Sequence, residues 1–188
     1  MTYQDKWSNG RLIEKGTREC AERYAIVKSF CADRFERAFT VCDIGANMCY
    51  FGIRLAEDFP FCRVVAYEFH SPAMRYAHLR QSAEARRISL VAKKLHLEDV
   101  SALALRERFD LVLALSVLHH LPGDSARWIS ALGVLGRHVI AEFALGDSLR
   151  TTARHNYSIP AGAKVLGYGR SHLDASVLRP IVALEGGK

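Results

Sequence analysis

Apolar residues in this chain recur in short runs, with helical patterns filling the gaps. The first run is Phe39-Thr40-Val41-Cys42-Asp43-Ile44-Gly45 and the second Arg63-Val64-Val65-Ala66-Tyr67-Glu68-Phe69. Others cover residues 88–95, 109–116 and 137–143. Short runs rich in β-branched and aromatic residues predict strands, and the near-continuous apolar run at 109–116 belongs in a sheet covered on both faces. Helical patterns span 50–58, 71–84, 97–107 and 124–135; the second opens with Ser71 as N-cap and Pro72 at the first helical position. Residues 164–168 and 180–184 read as two more strands, joined by a segment too short for a helical crossover, so they should pair antiparallel. The first 38 residues read as helix, in pieces 13–20 and 21–35. Strand alternating with helix predicts an α/β fold with crossover helices between parallel strands.

Composition narrows the class. With 188 residues, 49% hydrophobic and 24% charged, the chain reads as a complete single domain able to bury a sizeable core. No stretch approaches the roughly 18–20 apolar residues of a membrane span, and the polar N-terminus lacks a secretory signal. A cytoplasmic enzyme is therefore expected. Five cysteines without any CxxC pair argue for reduced thiols rather than a disulfide framework or zinc site, so no metal is expected. The net charge of +6 would suit an anionic partner such as nucleic acid, a nucleotide sugar or a phosphorylated glycan. The basic residues are scattered, however, and their tightest groups are pairs such as Arg86-Arg87 and Lys93-Lys94, as on an ordinary solvated surface.

Candidate chemistry concentrates where the first run ends. Asp43-Ile44-Gly45-Ala46-Asn47 places an acid and a glycine between a strand and a helix, where open α/β sheets bind ligands. A second acid, Glu68, ends the next strand 23 residues after Gly45, placed to accept hydrogen bonds from both hydroxyls of a ribose. An ordinary βα turn and a solvated glutamate are the plainer alternatives.

These residues resemble the class I S-adenosylmethionine-dependent methyltransferases. Asp43-Ile44-Gly45-Ala46-Asn47 is similar to their first motif, Val65-Ala66-Tyr67-Glu68 to their acidic second-strand end, and Phe109-Asp110-Leu111-Val112-Leu113-Ala114-Leu115-Ser116-Val117-Leu118-His119-His120-Leu121 to their fourth-strand motif. The resemblance runs from about residue 39 to 184 and implies a Rossmann-like, doubly wound, mostly parallel seven-stranded sheet with an antiparallel C-terminal hairpin. It implies S-adenosyl-L-methionine as cofactor, with Asp43 near its methionine end and Gly45, Ala46 and Asn47 in the loop against it. Glu68 would take the ribose, Phe69 would flank the adenine, His96 would contact its amine and Ser116 would sit beside the methionine moiety. The family carries alternate glycines in the loop; here Asn47 and Cys49 stand in for two of them, and a Cβ at 49 would crowd the cofactor if that position needs positive φ.

The division implied is an N-terminal segment, 1–38, and a cofactor-binding core, 39–188. Trp7, Arg18, Arg23 and Tyr24 either form a lid over the acceptor pocket or simply pack. His119 is either a general base on an acceptor hydroxyl or a structural residue. As neighbours on a strand, His119 and His120 would point to opposite faces and so form no metal pair. The segment Gly167-Tyr168-Gly169-Arg170-Ser171-His172 either meets an anionic acceptor or forms the hairpin turn. The function implied is methyl transfer to a small-molecule or glycan-type acceptor at O or N. RNA methylation and a non-catalytic binding role are the alternatives. The Asn/Asp-Pro-Pro-Tyr/Phe signature of amino-methylating enzymes is absent, and Asn47 and Cys49 do not complete the G-x-G-x-x-G of a nicotinamide dehydrogenase.

Overall fold

The structure, a computed structural model, describes residues 2–70, 83–145 and 158–187. It divides into two compact units, Met1–Lys94 and Leu95–Lys188.

The first unit opens with a β-hairpin rather than the expected helix over 13–20. β1 (Lys6–Ser8) pairs antiparallel with β2 (Arg11–Glu14) around Asn9 and Gly10, which adopt φ of 48° and 72°. An Asn-Gly pair in that conformation closes a two-residue turn whose twist matches its strands. Helix α1 (Cys20–Ala32) follows, with Cys20, Tyr24, Val27 and Cys31 buried along one stripe at helical spacing. β3 (Phe39–Ile44), β4 (Cys62–Glu68) and β5 (Ile88–Ala92) run parallel in the order β5-β4-β3. Helix α2 (Tyr50–Asp58) is the crossover between β3 and β4. The helix expected over 71–84 falls on residues 71–82, outside the described residues; Ala83–Arg87 forms a short 3₁₀ turn into β5.

The second unit carries helix α3 (Leu97–Ala104), β6 (Phe109–Ala114), helix α4 (Ser125–Leu135), β7 (Gly136–Glu142), β8 (Lys164–Arg170) and β9 (Leu178–Glu185). Asp124 caps α4, its Oδ1 accepting the Ala126 amide at 3.0 Å. The strand order is β6-β7-β9-β8, with β6 parallel to β7 and β9 antiparallel to both its neighbours. Phe109, Leu111, Val112, Leu113 and Ala114 are all fully buried, as a strand covered on both faces requires. β6 stops two residues short of Ser116, whose φ of 56° no strand accommodates. β8 continues through Arg170, so Gly167–Arg170 is strand and the hairpin turn begins only at Ser171.

Three parallel strands with a crossover helix, followed by four strands ending in an antiparallel pair, give an α/β, Rossmann-like fold of seven strands. Among the described residues, no helix is long and apolar enough to cross a membrane.

Candidate functional site

Parallel pairing of β3 and β4 sets Ile44 opposite Tyr67, so Asp43 and Glu68 both lie at strand ends facing the same loop. That loop, residues 45–49, alternates in and out of the left-handed region. Gly45, Asn47 and Cys49 have φ of 72°, 49° and 57°. The two non-glycine residues therefore occupy backbone geometry in which glycine is the easiest occupant. Cys49 does not reach out of the loop. It is fully buried, and its Sγ would lie 2.8 Å from a Cβ built on Gly52 of α2. Burial, and then the charge of Asp43, raise its thiol well above the ordinary value, so it stays a neutral packing group.

Every amide from 45 to 50 has an acceptor. Tyr67 O takes Gly45 N at 2.9 Å and Ala46 N at 3.1 Å, and Ala46 O takes Cys49 N at 2.7 Å. Glu68 Oε2 takes Asn47 N at 2.9 Å. Gln4 Oε1, from the N-terminal segment, takes Met48 N at 3.2 Å and Tyr50 N at 3.5 Å. A dinucleotide's pyrophosphate needs such amides for itself. Here they are occupied, two acids lie beside them, and the loop is built against a phosphate.

Glu68 is 7% exposed, and its other oxygen accepts Phe69 N and His70 N, both at 2.8 Å. The carboxylate thus organises the turn after β4 and the loop 45–49 together. Phe69 itself is half exposed, its ring centroid 3.7 Å from that of His70 and 5.5 Å from Lys94 Nζ.

Asp43 is 2% exposed, and its Oδ2 has no hydrogen-bond partner among the described residues. Its carboxyl is pushed up to about 7, chiefly by burial and next by the charge of Glu68, with Arg18 pulling the other way. A buried carboxyl oxygen without a partner is costly unless a ligand satisfies it. A cationic, hydrogen-bonding group would satisfy that oxygen.

The remaining expected residues lie in the second unit. Ser116, 7% exposed, accepts a hydrogen bond from Arg179 Nη1 at 2.7 Å, and Arg179 Nη2 donates to Ser171 Oγ at 3.3 Å. His119 and His120 sit on a 3₁₀ turn, Leu118–His120, not on a strand. Their rings therefore do not oppose one another but lie 4.0 Å apart, tilted by 45°. The following loop is pinned by Trp128 Nε1 donating to Pro122 O at 2.7 Å. His96 is exposed and opens α3, its amide donating to Asp99 Oδ2 at 2.9 Å. Among the described residues no group of three His, Cys, Asp or Glu could hold a metal ion.

Gln4 and Arg179 carried no local signal, since each acts on a loop far away in sequence. Of the N-terminal residues, Trp7 and Tyr24 pack on α2. Trp7 Nε1 donates to Glu57 at 2.5 Å, Tyr24 Oη to Asp58 at 2.6 Å, and the Arg54 guanidinium lies 4.1 and 4.5 Å from the two rings.

Comparison with known proteins gives this geometry a family. Residues 42–139, more than half of the chain, match the family model described as a methyltransferase domain. The chain belongs to that family and is a class I methyltransferase domain, for which S-adenosylmethionine is the cofactor to be accommodated. No curated protein matches the sequence. Among solved structures it is similar to WbdD in complex with the kinase inhibitor LY294002, with a TM-score of 0.73, 21% identity, and 92% of this chain covering 42% of that one. A second WbdD structure, described as a bifunctional kinase-methyltransferase, gives 0.69, 18%, 92% and 41%. Magnesium protoporphyrin IX methyltransferase (ChlM) from Synechocystis PCC 6803 with bound SAM gives 0.60, 18%, 98% and 89%. The chain thus spans less than half the length of WbdD but most of that of ChlM. These likenesses are of fold.

Proposed function

We propose that this chain transfers a methyl group from S-adenosylmethionine to a small-molecule or glycan-type acceptor, at oxygen or nitrogen. The observation that carries the reading is the buried, unpartnered Oδ2 of Asp43 beside Glu68, at a loop whose amides are already used. The bound cofactor supplies an electrophilic methyl on a sulfonium and adds an ammonium group. Asp43 would hold that ammonium, directly or through water. Glu68 would accept from the ribose through Oε2, which takes one amide where Oε1 already takes two. Phe69 offers an exposed ring to the adenine, and His96 and Ser116 are the further contacts that the family resemblance implies. Two acids in a water-poor site favour a cationic ligand and oppose a pyrophosphate.

His119 would take the proton from an acceptor hydroxyl, the remaining work being proximity and orientation. A small-molecule acceptor draws support from ChlM, whose named acceptor is a porphyrin and whose length this chain nearly spans. Five free, buried cysteines suit a reducing cytoplasm.

Calorimetry with S-adenosylhomocysteine and NADH tests the reading. The homocysteine nucleoside should bind and NADH should not. Glu68→Ala should weaken binding by about tenfold or more, since charged hydrogen bonds are worth roughly 1.5–3 kcal/mol each. NADH binding in its place, or unchanged affinity in a folded Glu68→Ala protein, would overturn it.

A further inference from the structure

We propose that Gln4 is a positioning residue for the cofactor loop, through which the N-terminal hairpin sets cofactor affinity; this rests on the methyltransferase reading above. Gln4 is 2% exposed, and its Oε1 reaches two amides of the loop, those of Met48 and Tyr50. Met48 lies between Asn47 and Cys49, both left-handed. A loop with glycines at those places adopts this path freely, whereas side-chain-bearing residues hold it only when something over-determines it. Asn47 N is already held by Glu68, and the Gln4 carbonyl holds the next stretch. The two acceptors grip the loop from opposite directions along the chain, one from the end of β4 and one from the N-terminus.

Gln4 is in turn held in place. Thr17 N and Arg18 N donate to Thr2 O and Tyr3 O, both at 3.0 Å, and Gly16 N donates to Asp5 Oδ1 at 2.8 Å. A Cβ on Gly16 would stand 2.4 Å from the backbone carbonyl carbon of Gln4, so the two segments approach as closely as glycine alone permits. The hairpin beyond is fastened to α2, where Glu57 accepts from both Trp7 Nε1 at 2.5 Å and Gly10 N at 2.8 Å. The N-terminal segment is therefore a brace running from α2 to the loop that precedes α2, and Gln4 is its point of contact.

The test uses the full chain, S-adenosylhomocysteine calorimetry and amide hydrogen exchange. Gln4→Leu, which keeps the bulk and removes the acceptor, should weaken binding about tenfold, the scale of one or two lost hydrogen bonds. Exchange at the Met48 and Tyr50 amides should quicken in the same protein. Gln4→Glu keeps an acceptor oxygen and should retain both affinity and protection, a rescue that general loosening of the fold would not give. Affinity within twofold of wild type in Gln4→Leu, or equal losses in Gln4→Leu and Gln4→Glu, would overturn the proposal. Should Gln4→Leu fail to fold, Gly16→Ala displaces Gln4 with its side chain intact and should give the same loss; unchanged affinity there counts equally against it. Failure of the wild type to bind would strike the methyltransferase reading instead, and exchange at Met48 and Tyr50 would still decide the role of Gln4.

Discussion

Glu68 raises the proton affinity of Asp43. The two carboxyls end adjacent parallel strands, both nearly excluded from water, and the charge of Glu68 adds to burial in lifting the Asp43 carboxyl from 3.8 to about 7. Glu68 is itself held by three backbone amides, those of Asn47, Phe69 and His70. One acid is thus spoken for by the chain and the other left open to a ligand.

This arrangement predicts opposite pH dependences for folding and for binding. Because the folded carboxyl titrates near 7 and the unfolded one near 3.8, the folded state binds more protons between those values. Its contribution to stability is complete below about pH 4 and disappears as pH rises through 7. A cationic ligand favours the ionised form, so affinity for S-adenosylhomocysteine should rise about tenfold from pH 6 to 8, with proton release on binding. Calorimetry in buffers of differing ionisation enthalpy reads both effects. Asp43→Asn should abolish the proton release, and persistence of the release in that variant would assign it to another group.

Cys49 and Gly52 should behave as a coupled pair. Gly52→Ala would drive a Cβ to 2.8 Å from Cys49 Sγ and 3.2 Å from Val64 Cγ1, and overpacking of this kind costs about 1–3 kcal/mol. Cys49→Gly removes the sulfur and suits the left-handed backbone, so the double variant should recover much of the loss. Thermal denaturation of the four proteins measures the coupling, and strict additivity would show that Val64 alone sets the limit. Since the thiol faces α2, Cys49→Gly should leave cofactor affinity unchanged.

His119 separates chemistry from binding. His119→Ala should lower kcat on the order of 10²–10⁴-fold with little change in S-adenosylhomocysteine affinity, and the wild-type rate should fall as pH drops through the imidazole range. A loss below about threefold with a flat pH profile would make the residue structural and favour an acceptor that is already nucleophilic, such as an amine.

Local patterning was enough to place most of the framework. The strand over 39–44, the helix over 50–58 and the antiparallel pairing of the last two strands all follow from runs of apolar residues and the lengths between them. The acids at 43 and 68 were legible too, because a strand end is a local event and parallel pairing brings neighbouring strand ends together. The Asn9-Gly10 turn was written in the sequence but competed with helical patterning on either side, and the hairpin won once its strands could pair. What tertiary structure alone decided are contacts between distant segments. Gln4 meets Met48 across 44 residues and Arg179 meets Ser116 across 63, and no periodicity within an element encodes such a meeting. The left-handed path at Asn47 and Cys49 belongs with these, since neither residue type demands it. The amides of Asn47 and Met48 are taken by acceptors from distant segments, Glu68 and Gln4, and a short-range preference worth about 1–2 kcal/mol per residue yields to buried hydrogen bonds and packing that act together.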